Sequence, residues 1–140
     1  MAAKPKKTWT DKLAGPQTHW LKPVPRDMAG MKQGQLMLIP SARMVDDFIR
    51  QIPAGSSLSL LAARGALASA HGAEVACPVT FGIHLRTVAE AAWEASEAGT
   101  PWEEVTPVWR VLDETAPTTR KLTYDWRVLI ERRVAEGLKP

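Results

Sequence analysis

The residues whose types and spacing best suit chemistry lie between Thr100 and Val111. Two prolines, Pro101 and Pro107, bound a short loop. The second proline is followed directly by an apolar residue, a tryptophan and an arginine. Because proline fixes its own φ, the two prolines hold the loop between them in a rigid conformation that suits a pocket wall. Trp109 would offer an apolar surface for stacking a planar base, with Arg110 structuring the loop from behind. The alternative is that Trp109 fills the hydrophobic core.

Other catalytic and metal-binding patterns are missing from the sequence. The three histidines, His19, His71 and His84, lie far apart and lack clustered carboxylates, so we predict no metal site. Cys77 is the only cysteine, which excludes an internal disulfide and a two-cysteine metal site. It precedes a proline near a helix start, where a thiol can become reactive, but the simpler interpretation is a small buried apolar residue. No glycine-rich phosphate loop occurs, and we predict no cofactor.

The proline-bounded segment resembles the active-site stretch of the alkylguanine-DNA alkyltransferases, whose pattern is Asn-Pro, five residues, then Pro-Cys-His-Arg-Val. Four positions match at the same spacing, and they are Pro101, Pro107, Arg110 and Val111. The resemblance covers roughly residues 43–137. It implies a winged helix-turn-helix domain that binds double-stranded DNA and holds a flipped base in a pocket at Pro107–Arg110.

The departures from the family pattern bear on activity. Val108 stands where the family has its acceptor cysteine, Trp109 replaces the activating histidine, and Thr100 replaces the hinge asparagine. An isopropyl side chain has no lone pair with which to attack an alkyl group, so alkyl transfer at that position is impossible. Leu60 falls where the family has a tyrosine that crowds the phosphate of the target nucleotide. The pattern is closest to the alkyltransferase-like proteins, which bind alkylated guanine without repairing it and pass the lesion to excision repair. We therefore expect a protein that is not an enzyme.

The same resemblance implies which residues contact DNA. Arg86 matches an arginine of the recognition helix, which enters the minor groove and takes the place of an extruded base. Side-chain intercalation and base extrusion are established strategies, because pocket contacts repay the cost of unstacking. Thr80, Thr87 and Ser59 are the further DNA-contacting residues that we assign to the helix-turn-helix. The alternative for Arg86 is a surface arginine paired with Glu90 one turn later.

Capping signals predict the helices that position these residues. We predict helices from an N-cap at Ser41 to about residue 52, from Ser59 to about 70, from Thr80 to 99, and from Thr123 to about 135. The apolar residues expected to face the core are Phe81, Ile83, Val88, Ala91 and Ala92 in the third helix, and Trp126, Leu129, Ile130 and Val134 in the last. A short strand is expected at 35–39 and a small wing between 113 and 119. The fold class is mainly α, with a winged helix-turn-helix domain of alkyltransferase type at 41–140 and an irregular N-terminal arm at 1–40.

Basic residues are concentrated in that arm. The first forty residues hold seven Lys/Arg against two Asp, and the rest hold eleven Lys/Arg against thirteen Asp/Glu. Such an arm suits a polyanion, because each cation that neutralises a phosphate releases condensed counterions. The alternative is a solvated tail. Prolines and glycines predict an extended, irregular arm, and Trp9 and Trp20 either fasten it to the domain or stack on nucleic acid.

Functions from different classes remain open. The leading hypothesis is a monomeric, non-catalytic protein that binds duplex DNA, recognises alkylated or otherwise modified bases and hands them to a repair-protein partner. The alternative is a winged-helix module for protein interaction without lesion recognition, favoured by Glu90, Glu94 and Glu97, which share a helix with Arg86 and would repel phosphate. A third is an enzyme that uses Cys77 as a displaced alkyl acceptor. No apolar run is long enough to span a bilayer or to follow a secretory start, so we expect a cytoplasmic location.

Overall fold

The structure is a computed structural model that describes residues 7–140, so Lys4, Pro5 and Lys6 of the predicted basic arm lie outside the described residues. Within that range the chain forms five α-helices and three β-strands. Their bounds are α1 Trp9–Ala14, β1 Trp20–Pro23, β2 Leu36–Ile39, α2 Ala42–Arg50, α3 Leu60–Ala70, β3 Val75–Ala76, α4 Pro78–Glu97 and α5 Arg127–Ala135. The predicted mainly α class is confirmed, with one small sheet added to it.

Residues 7–40 combine regular elements with irregular segments, which corrects in part the prediction of an irregular arm. They contain α1, β1 and β2, of which only β2 was expected. β1 pairs antiparallel with β2, with Trp20 opposite Ile39, and β2 pairs in parallel with β3, with Met37 opposite Val75. α1 packs against α4 and α2. The arm is thus joined to the rest of the chain by backbone hydrogen bonds and by helix packing.

Two of the predicted N-caps are confirmed and two are wrong. The hydroxyls of Ser41 and Ser59 accept hydrogen bonds from backbone N–H groups in the first turns of α2 and α3. The N-cap of α4 is Cys77, three residues before the predicted Thr80, because Pro78 occupies the first turn of the helix. α5 begins at Arg127 rather than after Thr123, whose backbone and hydroxyl are instead bound by a carboxylate of α4.

The hydrophobic core surrounds α4. Fully buried side chains reach it from β2, α2, α3, α4 and α5, and they include Leu38, Ile49, Leu67, Leu85 and Leu129. Each contributes about 1.5–3 kcal/mol by leaving water. The prediction that Ile83 and Val134 face the core is wrong, because these residues are 60% and 57% exposed. None of the helices in residues 7–140 is both long and apolar enough to cross a membrane.

The segment predicted to form a wing contains no strand in the described chain. It is a series of turns in which Asp113 accepts hydrogen bonds from the backbone of Thr115 and Ala116, and the hydroxyl of Thr119 donates to the carbonyl of Asp113 at 2.7 Å. A single 3-10 turn follows at Thr119–Lys121. These local bonds fix the backbone without cross-strand pairing, and they place Lys121 next to α4.

Candidate nucleic-acid interface

A groove of about 420 Å³ opens between α3, the first half of α4 and the turns that follow residue 116. We call it the basic groove, because Arg64, Arg86 and Lys121 line it and no carboxylate does. The remaining lining residues are Leu60, Pro78, Val79, Phe81, Gly82, Ile83, Leu85, Pro117 and Thr118. A concave surface with one sign of charge and apolar walls concentrates its field on an anion.

Arg86 is held in this groove without an ion pair. Within residues 7–140 its guanidinium makes no salt bridge, and its buried Nε has no hydrogen-bond partner. The alternative pairing with Glu90 is wrong, because the Glu90 carboxylate is buried and accepts hydrogen bonds from the backbone N–H and hydroxyl of Thr123. The ring centroid of Trp9 lies 5.3 Å from the Arg86 Cζ. Arg86 therefore has no anionic partner among the described residues.

Among the four residues predicted to contact DNA, only Arg86 lines the basic groove. Thr87 is 7% exposed and donates to the carbonyl of Ile83, so its hydroxyl faces the protein and that prediction is wrong. Thr80 is half-buried and its hydroxyl donates to the Cys77 sulfur at 3.3 Å. Ser59 is exposed but spends its hydroxyl on capping α3.

Sequence reasoning missed two of the three cations in the groove. Arg64 lies four residues after Leu60 on α3, and that spacing places both side chains on one helix face. Because the resemblance places Leu60 beside the target nucleotide, this spacing could have identified Arg64 as a cation near the same nucleotide. No local pattern marked Lys121, whose position depends on the turns at residues 113–119.

The predicted lesion pocket at Pro107–Arg110 is not a base-stacking surface. Val108 is 0% exposed and Trp109 is 2% exposed, so both belong to the core and the prediction for them is wrong. Pro107, Trp109 and Arg110 border a cavity of about 390 Å³ that shares no lining residue with the basic groove. The physical reason is that the 3-10 turn at Val108–Arg110 points the tryptophan inward, against Trp102 at 5.9 Å between ring centroids.

Arg110 is committed to internal contacts in that cavity. Its Nη2 lies 2.6 Å from Oε1 of Glu136, and its Nη1 donates to the carbonyl of Ile52 at 2.7 Å. Hydrogen bonds from Arg110 lower the pKa of Glu136 to about 2, against the opposing effect of burial. The indole N–H of Trp109 also lowers the pKa of Glu136. Its position relative to the carboxylate does not, however, meet the geometric criteria of a hydrogen bond. These contacts brace the loop, as the sequence suggested for Arg110.

Charges in this cavity are balanced, unlike those of the basic groove. It is lined by three arginines and three glutamates, and Arg50, Arg110 and Arg132 each pair with a carboxylate. Pairing of this kind leaves little net field for an anion.

No group of three potential metal ligands occurs in the part of the chain that the structure describes. Cys77 is half-buried at the start of α4, and its sulfur accepts the hydrogen bond from Thr80. His84 is half-buried, and burial lowers its pKa while a hydrogen bond with the Pro40 backbone opposes that shift.

Comparisons with protein-family models, with curated proteins and with solved structures gave no match to this chain.

Proposed function

We propose that this chain is a non-catalytic DNA-binding protein that recognises alkylated or otherwise modified bases, in the manner of the alkyltransferase-like proteins it resembles. The observation that carries the proposal is the basic groove, in which three cations meet with no carboxylate among the lining residues. Duplex DNA presents closely spaced phosphates, and binding them releases counterions. In this proposal α3 and α4 act as the helix-turn-helix, and the turns at 113–121 take the place of a wing.

The proposed pocket for a modified base is the basic groove rather than Pro107–Arg110. Its volume of about 420 Å³ falls within the range of roughly 300–1,000 Å³ typical of small-molecule pockets. Leu60, which the resemblance places beside the target nucleotide, lines it together with Phe81 and Pro117. A flipped base would meet apolar walls, while its phosphates would meet Arg64 and Lys121.

The absence of alkyl transfer is part of the proposal. Val108 has no nucleophilic atom, and it lies fully buried in the core. We also propose that the protein acts as a monomer in the cytoplasm and passes the lesion to a repair partner.

The decisive experiment is a fluorescence-anisotropy titration of labelled duplexes, with and without one alkylated guanine, over a range of salt concentrations. If each of the three groove cations contacts one phosphate, they account for a slope of about −2.7 in log K against log salt. The triple variant Arg64→Ala, Arg86→Ala, Lys121→Ala should lose that part of the slope. Arg127→Ala is the matched control, because Arg127 pairs with Asp125 and does not line the groove.

The titration separates the two parts of the proposal. Equal affinity for plain and alkylated duplexes would refute lesion recognition and leave DNA binding intact. If the triple variant binds as tightly as Arg127→Ala, the basic groove is not the DNA site.

One observation favours the alternative of a protein-interaction module. Ile130 and Val134 of α5 form a partly exposed apolar face with the N-cap residue Trp126, beside a depression of about 640 Å³. A surface of this kind is a common site of protein contact. An absence of duplex binding at low salt would support that alternative.

A further inference from the structure

The N-terminal helix α1 lies against the helix that carries Arg86. The Trp9 ring, half-buried between the two helices, has its centroid 5.3 Å from the Arg86 Cζ and 4.1 Å from the Lys12 Nζ. Resting on the proposed function, we propose that Trp9 is a positioning residue, which holds the Arg86 guanidinium in the orientation that binds DNA.

A glutamate of α4 fixes α1 in place. The Glu94 carboxylate accepts hydrogen bonds from the Trp9 backbone N–H at 3.3 Å, the Thr10 backbone N–H at 2.7 Å and the Thr10 hydroxyl at 2.8 Å. A carboxylate at a helix N-terminus is stabilised by the helix dipole. Glu94 lies about two turns after Arg86 on α4. The same helix therefore carries both the arginine and the anchor of the tryptophan that contacts it.

An aromatic partner suits an arginine that must bind an anion. A carboxylate partner would neutralise the guanidinium and occupy its N–H donors, whereas the face of an indole ring attracts the cation and leaves its donors available. Arg86 has no ion pair among residues 7–140, so the contact with Trp9 restricts a side chain that would otherwise lose rotamer freedom on binding. The tryptophan thus lowers the entropic cost of the DNA contact.

The test is a double-mutant cycle on the full chain, measured as affinity for a labelled duplex. Trp9→Leu keeps an apolar side chain and removes the aromatic face, and we expect it to weaken binding about two- to fivefold. Trp9→Phe restores an aromatic face and should recover part of that loss. In the Arg86→Ala background, Trp9→Leu should have no further effect, because the residue that Trp9 holds is gone.

A second measurement reads the contact without DNA. The Arg86 Nε–Hε resonance is shifted by the ring current of a nearby indole, so Trp9→Leu should move it towards its unstructured position. Thermal unfolding of each variant shows whether the fold persists.

The outcomes separate this inference from the proposed function. If Trp9→Leu weakens binding equally in both backgrounds, or leaves both the affinity and the Nε–Hε resonance unchanged, Trp9 does not act through Arg86 and the inference is overturned. If Arg86→Ala weakens binding but Trp9→Leu does not, the inference fails while the proposed function stands. If the wild-type protein does not bind duplex DNA, both fail.

Discussion

Replacing Gly82 tests the proposed interface, because we expect the substitution to stabilise the fold and to weaken DNA binding. Gly82 lies inside α4 and lines the basic groove, and a Cβ built on it would meet nothing within 4 Å. Glycine in a helix interior destabilises it by about 0.5–1 kcal/mol relative to alanine. A Cβ at this position would clash with nothing inside the protein, and a glycine here would let a partner approach the backbone of α4 closely.

The expected magnitudes follow from these facts. Gly82→Ala should raise the free energy of unfolding by about 0.5–1 kcal/mol, and Tm by about 2–4 °C. If DNA packs against this turn of α4, one added methyl group should cost about 1 kcal/mol of binding, or about fivefold in Kd. Gly65→Ala on α3 should behave alike, because Gly65 also has open space and lines a neighbouring depression that shares Arg64 with the basic groove.

The assay pairs thermal unfolding with the anisotropy titration on the same preparations. Ser69→Ala is the matched control, since Ser69 is an exposed residue of α3 that lines neither depression. It should raise stability by about a few tenths of a kcal/mol with no change in affinity. A Gly82→Ala protein that is more stable and binds DNA as well as wild type would refute the close approach. If Gly82→Ala is less stable than wild type, the reasoning that this position has room for a methyl group is refuted.

Three further predictions concern residues outside the groove. Glu136→Gln should lower the free energy of unfolding by about 1.5–3 kcal/mol by weakening its charged contact with Arg110. Because the folded pKa of Glu136, about 2, lies below the ordinary value of 4.5, the contribution of Glu136 to stability should be constant above about pH 5 and be lost towards pH 2. Denaturant titrations across pH should therefore show a steeper loss of stability below about pH 5 in wild type than in the variant. Asp46→Ala removes the acceptor of the buried Thr106 hydroxyl and should destabilise the fold by about 1–3 kcal/mol in the same assay. Incubation with alkylated duplex should leave the intact mass unchanged, and one added alkyl group lost on Cys77→Ser would instead identify Cys77 as an acceptor.

The helices could be predicted where their signals are local. Ser41 and Ser59 each stand just before an apolar periodic segment, and a hydroxyl that caps a helix needs only the next three residues. Thr123 carries the same signal but lies near a buried carboxylate from a distant part of the chain. Its hydrogen bonds go to Glu90, so tertiary contact overrides the local cap.

The arm shows what sequence alone could not supply. Each residue of β1 is exposed, so the strand has no buried face. Its sequence therefore lacks the alternation of apolar and polar residues that would predict a strand. α1 has six residues, which is too short to be stable without a partner, and its partner is Glu94 on a helix far along the chain. Both elements exist because of contacts that sequence spacing does not reveal.

The site was predicted in part. The resemblance to a helix-turn-helix singled out Arg86 as a DNA-contacting residue, and the structure places it in the lining of the basic groove; its contact with DNA stays a prediction. Trp109 was predicted either to stack a base or to fill the core, and its burial decides for the core. A tryptophan two residues after a proline gives no local indication of which way its ring turns. Here the 3-10 turn and the neighbouring Trp102 determine it.

The acidic balance of residues 41–140 is an argument against phosphate binding, and its weight depends on where the carboxylates lie and what they contact. Glu90 is buried and bound to Thr123, Glu94 anchors α1, and Glu136 is paired with Arg110. The ion pair with Arg110 reduces the field of Glu136 at a distance, whereas hydrogen bonds from neutral donors leave the negative charges of Glu90 and Glu94 in place. The sum of charges along a segment therefore says little about the surface that a partner meets, and the carboxylate-free lining of the basic groove is the better guide to an anionic partner.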